Sequence, residues 1–330
     1  MFGRKSCFRT VADGFPLNRR RNVCWEEKPV RSARDNCISQ QGEIVSMIDY
    51  SDFLLTVDFD RTLTAPDSTI PKRNIEAIEY FMANGGTFTV NTGRSIPSSM
   101  GAVIPDVPVN APLLLYNGSA AYDKAAKRFT RTGTIDLPVE VVLELQAAFP
   151  DLRIEIQGSE AHYLFSRDAV WQEYCAHNGM PWAYCAPKEI PGPFLKFSIY
   201  GRFKDETVAS MYEATEAELA RIAEAIAYVE HHWGDKVDVF RACHQIADIH
   251  AKGCSKLNSA RLLQKELGKK WLVCVGDAEN DLSMLEGADF AFCPADGVVA
   301  DRFENVCDCA QGAVADVIYK KIPEILAKQP

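Results

Sequence analysis

Asp58 and Asp60 stand two positions apart where the apolar run Phe53-Leu54-Leu55-Thr56-Val57 gives way to polar residues. A run of that kind reads as a buried strand, so both carboxylates are presented where the strand empties into a loop. A carboxylate placed there can attack phosphorus and form an aspartyl-phosphate, which gives Asp58 the part of nucleophile. Asp60, one side-chain period further on, is placed to carry a proton to and from the leaving oxygen. Taken alone, the pair is equally compatible with an acidic turn in water.

Three other stretches supply the remaining charges of phosphoryl transfer. Thr89-Val90-Asn91-Thr92-Gly93-Arg94 is a short β-rich run that breaks at glycine. It leaves the Thr92 hydroxyl and the backbone N–H groups after it for phosphate oxygens. Lys256 enters a helix in Gly253-Cys254-Ser255-Lys256 and adds a cation. Gly276-Asp277-Ala278-Glu279-Asn280-Asp281 follows the strand Trp271-Leu272-Val273-Cys274-Val275, and Asp277 and Asp281 offer hard oxygen ligands suited to Mg²⁺. Each has a plainer explanation: a surface lysine, an acidic helix entrance that complements the dipole, threonines and Asn280 capping helices, Asn117 serving a turn. Their joint presence, each at a strand end or helix start, favours the chemical reading.

The elements that must position these groups alternate strand and helix. Pro71 opens a helix with Ile75, Ile78 and Met82 on one face, stopped by Gly85-Gly86, and strands follow over 87–91 and 113–116. A helix carrying Leu257, Leu262, Leu263 and Leu267 ends at Gly268 and returns the chain to the sheet. Continuous apolar strands between helices imply a parallel sheet covered on both faces. The carboxyl ends of its strands share one rim, so Asp58, Thr92 and Asp277 can converge at a single crevice.

Between the glycine-broken run and Lys256 lies an insertion. Residues 152–156 and 162–165 alternate as a hairpin would, 194–200 gives another strand, and 206–226 is strongly helical. Together they predict a small α/β lobe. Its polar and aromatic groups His231-His232-Trp233, Lys196, Glu155 and His162 are of types that can face a sugar, and a solvated face is the plainer reading of each.

On these motifs the chain resembles the haloacid dehalogenase superfamily, and within it the Cof-like phosphatases with a large α/β cap (type IIB). The resemblance covers residues about 50 to 320: Asp58, Asp60 and Thr62 match its first motif, Thr92, Gly93 and Arg94 its second, Lys256 its third, and Asp277, Asn280 and Asp281 its fourth. Tyr116-Asn117-Gly118 looks like its step into the cap, and Arg61 stands where these phosphatases usually have glycine. The resemblance implies an α/β fold, a Rossmann-like parallel-sheet core with an inserted α/β cap domain. Core segments would be 47–118 and 251–330, and the cap 119–250. It also implies Mg²⁺ held by the carboxylates of Asp58 and Asp277 and the backbone carbonyl of Asp60, with Asp281 orienting the shell. Thr62, Thr92, Gly93, Arg94, Asn117, Lys256 and Asn280 would contact phosphate or substrate. The implied activity is hydrolysis of a small phosphorylated metabolite, with sugar phosphates foremost. A phosphomutase of the phosphomannomutase type is the alternative, although the arginines of 119–250 are scattered rather than grouped to grip a second phosphate. A non-catalytic phosphometabolite sensor on the same scaffold is the reading from a different class.

Composition bounds the rest. With 330 residues, 47% hydrophobic and 25% charged, the chain can bury a sizeable core and should form two lobes. A net charge of -9, with no extended Lys- and Arg-rich stretch, argues against nucleic acid as the main partner. No apolar run approaches the roughly 18 residues of a membrane span. Eleven irregularly scattered cysteines suit packing thiols in a reducing cytoplasm better than a disulfide framework, and no signal-peptide pattern precedes them. The six histidines lack zinc-ligand spacing, and no Gly-x-Ser-x-Gly elbow follows a strand. Residues 1–46, with Arg19-Arg20-Arg21 and no sustained periodicity, read as a poorly ordered extension. Interspersed acids count against a transit peptide, and a second reading makes Met47 the start of translation, at the short distance from Asp58 usual for these phosphatases. Nothing in the sequence specifies an oligomeric state.

Overall fold

The strand β1 (Phe53–Val57) is buried at every position and sorts its side chains by the two-residue period: Phe53, Leu55 and Val57 enter one apolar cluster, Leu54 another. Such two-sided burial is what a central parallel strand requires. The computed structural model describes residues 48–100, 104–165, 167–201 and 213–328, so the extension 1–46 and Met47 lie outside the described residues. Pro71 precedes α1 (Lys72–Ala83), whose deepest stripe is Asn74, Ala77, Ile78 and Phe81, and β2 (Thr87–Val90) then pairs in parallel with β1. A short α2 (Ile96–Met100) follows, and an antiparallel ribbon of β3 (Leu113–Leu115), β4 (Ala120–Asp123) and β5 (Arg128–Thr132) continues the chain. An isolated parallel bridge, Asn91 to Leu114, joins that ribbon to the end of β2.

The insertion builds its own sheet. Its elements are α3 (Val141–Ala148), β6 (Arg153–Gln157), β7 (His162–Leu164), α4 (Ala169–His177), β8 (Trp182–Tyr184), β9 (Lys196–Tyr200), α5 (Glu216–Trp233), β10 (Val237–Cys243) and β11 (Ile246–Ala251). The six strands run in the order β10-β11-β9-β6-β7-β8. One face carries Ile154, Ile156, Phe197, Ile199 and Ile249, packed with Val142 and Leu145 of α3 and Ile222 and Val229 of α5. The alternate residues Glu155, Gln157, His162, Lys196, Ser198, Asp248 and His250 occupy the other face and are buried as well. Lys196, Glu155 and His162 therefore correct the expectation of a solvated face, because this side of the sheet meets loops of the parallel-sheet lobe. His231 and His232 are exposed, as a solvated face requires.

The predicted helix over 206–226 is described only from 213 on, where 213–215 are not helical and α5 follows. It begins at Glu216, since Thr215 Oγ1 accepts from the Glu218 N–H and the Glu218 carboxylate returns a bond to the Thr215 N–H at 2.7 Å. That reciprocal cap sets the start, while Val229 and Trp233 extend the apolar stripe beyond Ile226. Residues 206–212 lie outside the described residues.

The chain then completes the first sheet with α6 (Lys256–Glu266), β12 (Trp271–Val275), α7 (Leu282–Glu286), β13 (Phe290–Pro294) and β14 (Glu304–Val306). All five strands are parallel, in the order β14-β13-β12-β1-β2. The closing helices α8 (Ala313–Asp316) and α9 (Ile322–Ala327) cover the face that includes Phe53, Leu55 and Val57. Truncating Leu55 to alanine in this close-packed cluster would cost about 2–5 kcal/mol. The chain passes from one lobe to the other at two neighbouring points: a Cβ added to Gly133 would lie 2.4 Å from Cys254 Sγ. Among the described residues no helix is long and apolar enough to cross a membrane, and no disulfide is present.

Candidate active site

Strand order alone brings the acidic motifs together. β1 and β12 are hydrogen-bonded neighbours with Val57 opposite Val275, and the Asp58 N–H continues the ladder to the Val275 carbonyl at 2.9 Å. Asp58 and Asp277 thus leave adjacent strands at the same edge, as expected for the carboxyl rim of a parallel sheet. Ligand oxygens of Asp58, Asp277 and Asp281 all lie within 4.8 Å of one another.

Lys256, at the first turn of α6, reaches into this cluster. Its Nζ donates to Asp58 Oδ1 at 2.6 Å and to Asp281 Oδ1 at 2.7 Å. Ser255 sets up the approach by capping the helix, its Oγ accepting from the Asn258 N–H at 3.1 Å. Asp281 is committed on its other side too: Oδ2 accepts from the Asp277 N–H at 3.1 Å and the Ala278 N–H at 3.2 Å. Those bonds suit the organising part expected of Asp281, while Asp58 and Asp277 present oxygens to the space between them.

Three buried carboxylates facing one ammonium leave two negative charges uncompensated. The titration of the group follows. Burial, reinforced by Asp281, Asp277 and Asp60 and opposed by Lys256, raises the Asp58 carboxyl well above its usual range. Burial and the Asp281 charge push Asp277 up to about 7, although the Thr62 hydrogen bond, Lys256 and Arg61 pull it down. Burial disfavours the Lys256 ammonium, yet Asp281 and Asp58 more than offset it and raise its pKa. An all-oxygen, doubly negative cradle is the donor set of a hard divalent cation, so Asp58, Asp277 and Asp281 fit a metal site.

Other predicted residues have definite partners that sequence did not reveal. The Thr62 hydroxyl donates to Asp277 Oδ1 at 2.9 Å, so it orients a carboxylate where an anion contact was expected. Arg94, also expected on phosphate, grips Asp60: Nε to Oδ2 and Nη2 to Oδ1, both at 2.8 Å. Its Nη1 donates to the Ser98 carbonyl at 2.8 Å and its guanidinium lies 5.2 Å from the centre of the Phe59 ring. Thr92 Oγ1 accepts from the Arg94 N–H at 3.2 Å, so one of the N–H groups expected to serve phosphate is engaged within the loop. Asn117 is buried beside Gly93 and donates from Nδ2 to Asp248 Oδ2, with His250 Nε2 also 3.1 Å from that nitrogen. Asn280 is half-buried in the turn 279–281 between Asp277 and α7.

Arg61 explains its own oddity. Its backbone adopts φ 58° and ψ 10°, the left-handed region in which glycine is at ease. An arginine there carries about 1 kcal/mol of strain. It places an exposed cation whose charge is felt at Asp277 and Asp296.

Sequence reasoning missed Lys196 and Asp248. Lys196 Nζ lies 2.6 Å from Asp248 Oδ2 and donates to the Gly93 carbonyl at 3.0 Å, bringing the insertion onto the predicted phosphate loop. The available signal was the charged residues at alternate positions of otherwise apolar strands, Lys196 in β9 and Asp248 in β11.

Comparisons with known proteins agree with this architecture. The pyridoxal phosphate phosphatase YbhA of Escherichia coli is 25% identical over 82% of this chain and 98% of its own length. The HMP-PP phosphatase of Serratia proteamaculans is 22% identical over 70% of this chain and 80% of its own. Among solved structures, the subclass IIB sugar phosphatase BT4131 superposes with a TM-score of 0.62 at 16% identity, covering 83% of this chain and 98% of that one. The family model described as haloacid dehalogenase-like hydrolase matches residues 55–310, which take in every strand of the parallel sheet but the first two residues of β1, and all four motifs. A parallel sheet that delivers Asp58 and Asp277 to one buried cluster with Lys256 is thus met by a family match over most of the sequence, and the chain belongs to the haloacid dehalogenase-like hydrolases, a family of enzymes.

Proposed function

We propose that the chain is a Mg²⁺-dependent phosphatase of small phosphorylated metabolites, sugar phosphates foremost, that works through an aspartyl-phosphate on Asp58. The observation that carries the reading is the placing of Asp58: last off the central strand, in a carboxylate cluster, 2.6 Å from a buried ammonium. The names of the relatives support the phosphatase class, and that of the subclass IIB sugar phosphatase among the solved structures supports sugar phosphates.

Asp58 and Asp277 would hold the cation with the Asp60 carbonyl, and Asp281 would arrange them. When bound, Mg²⁺ supplies the positive charge that lets an anionic carboxylate meet an anionic ester. The rest falls to the chain. Lys256 holds Asp58 in place and spreads the charge of the transferring group, aided by the loop at 92–94. Asp60, half-exposed and anchored by Arg94, protonates the departing alcohol and then takes a proton from the water that cleaves the aspartyl-phosphate. The inserted six-stranded sheet with α3, α4 and α5 acts as a cap that excludes water not needed for hydrolysis. Free thiols suit a cytoplasmic enzyme.

The test is release of inorganic phosphate by purified protein from a panel of sugar phosphates, nucleotides, flavin mononucleotide and pyridoxal phosphate, with and without chelator. Chelator-sensitive release is expected, strongest on sugar phosphates. Absence of release from every compound overturns the reading, and isomer formation without release would transfer it to the mutase class.

A further inference from the structure

Loop 92–95 is held by both lobes. From its own lobe, the Thr92 and Arg94 carbonyls accept from the Asn117 and Tyr116 N–H groups, each at 3.0 Å. Between them the Gly93 carbonyl is served by the inserted sheet, through Lys196 Nζ at 3.0 Å. Two residues on, Ser95 Oγ shares a 2.7 Å hydrogen bond with His162 Nε2, and His162 Nδ1 lies 3.0 Å from the Glu155 carboxylate. Gly93 has no room on its remaining side, where an added Cβ would stand 2.7 Å from Asn117 Oδ1.

One carboxylate gathers this clamp. Asp248 Oδ2 is 2.6 Å from Lys196 Nζ and 3.1 Å from Asn117 Nδ2, and Oδ1 accepts from Ser198 Oγ at 2.7 Å. Lys196 and Asp248 are only 3% and 2% exposed. Burying an ion pair is a poor way to stabilise a sheet, since well-packed apolar residues of similar size do as well or better. What an apolar pair could not do is donate to a loop carbonyl on the other lobe.

We infer that Lys196, held by Asp248, is a positioning residue for the phosphate loop: docking of the inserted lobe fixes the Gly93 carbonyl and so sets the backbone that receives the phosphate. The inference rests on the phosphatase reading for the identity of the loop's ligand. It makes the lobe part of the catalytic architecture, beyond selection of the leaving group. Lys196 acts through Gly93, so its loss is felt with every substrate whatever the leaving group.

The experiment compares the wild type with Lys196→Met, Lys196→Arg and Asp248→Asn. Turnover of p-nitrophenyl phosphate and of a sugar phosphate is measured with inhibition by orthovanadate and activation by Mg²⁺. Lys196→Met should lower kcat about tenfold or more on both substrates alike and weaken vanadate inhibition by a similar factor. The Mg²⁺ activation constant should stay unchanged, and Lys196→Arg should recover part of the loss. Asp248→Asn, which keeps the shape of the site, should give the same pattern and serves if Lys196→Met does not fold. A rise in KM confined to the sugar phosphate, with vanadate inhibition intact, would overturn the inference by making Lys196 a substrate contact. Unchanged kinetics in both Lys196→Met and Asp248→Asn would overturn it as well. If the wild type turns over nothing, vanadate binding by calorimetry still separates wild type from variants, so the phosphatase reading can fail without deciding this one.

Discussion

Arg94 holds both oxygens of Asp60 in a parallel fork of two hydrogen bonds, each 2.8 Å. A planar guanidinium fixes a carboxylate in orientation as well as distance, which a lysine cannot imitate. Arg94→Lys should therefore lower kcat about 10- to 100-fold, or roughly 1.4–2.7 kcal/mol of barrier, because the proton carrier loses its aim. The Mg²⁺ activation constant should move much less, since Arg94 holds the Asp60 side chain rather than its carbonyl and bonds to none of Asp58, Asp277 and Asp281. Steady-state kinetics across a Mg²⁺ titration measures both quantities together.

Asp58→Asn removes the attacking oxygen's charge while leaving a side chain of equal size. A loss on the order of 10³-fold or more, about 4 kcal/mol, is expected. Near wild-type phosphate release from this variant would refute the covalent route.

Lys256→Met tests the charge balance of the cluster. Removing the one ammonium from three buried carboxylates leaves them uncompensated, and breaking such a group costs about 3–5 kcal/mol. The melting temperature should fall steeply in chelator and recover more with Mg²⁺ than that of the wild type, because the cation then supplies the missing charge. Differential scanning calorimetry in the two buffers gives the answer.

Metal affinity should follow pH through Asp277. Its carboxyl is pushed up to about 7 in the metal-free fold, so below that pH a cation must displace a proton to use this oxygen. Apparent Mg²⁺ affinity should rise with pH from 5.5 through 7, by about tenfold per unit for the Asp277 proton and more steeply where the raised Asp58 carboxyl must also ionise. For stability the sign is opposite: a raised carboxyl favours the metal-free fold at low pH, and that contribution is lost as pH climbs from about 4 through about 7. Calorimetric Mg²⁺ titrations at several pH values measure this rise, and an affinity independent of pH between 5.5 and 7 would remove Asp277 as a titrating ligand.

His250 gives the contrary pH signature. Burial, with the Lys196 charge beside it, lowers its pKa to about 3. The unfolded chain takes up a proton near 6.5 that the folded chain refuses, so this group lowers stability as pH falls from about 6.5 toward 3. The gap in melting temperature between the wild type and His250→Gln should narrow over that range. A gap independent of pH would remove His250 as the source.

The gathering of the acidic motifs was more legible than their wiring. Asp58, Lys256, Asp277 and Asp281 could be named because each lies at a strand end or helix start, where parallel-sheet topology forces convergence. Thr62, Arg94 and Asn117 were recognisable as site residues, but their partners Asp277, Asp60 and Asp248 depend on which rotamer the packed crevice admits. Lys196 was misread as a solvated group for a related reason. A charged residue in a strand has no sequence mark that tells water from a second lobe, and only the docking of β9 against the Gly93 loop decides. The break at 213–215 was not legible, because the Glu-rich pattern runs through it while the reciprocal cap at Thr215 sets the start of α5.

The side-by-side passage of the chain at Gly133 and Cys254 has an evolutionary consequence. A segment whose two ends meet at one place can be lengthened, exchanged or lost in a single genetic event without retuning the spacing of the acids on the rim. Diversification in such a lineage can proceed by trading lids over an inherited engine, and what each descendant consumes is then written mostly in the traded part.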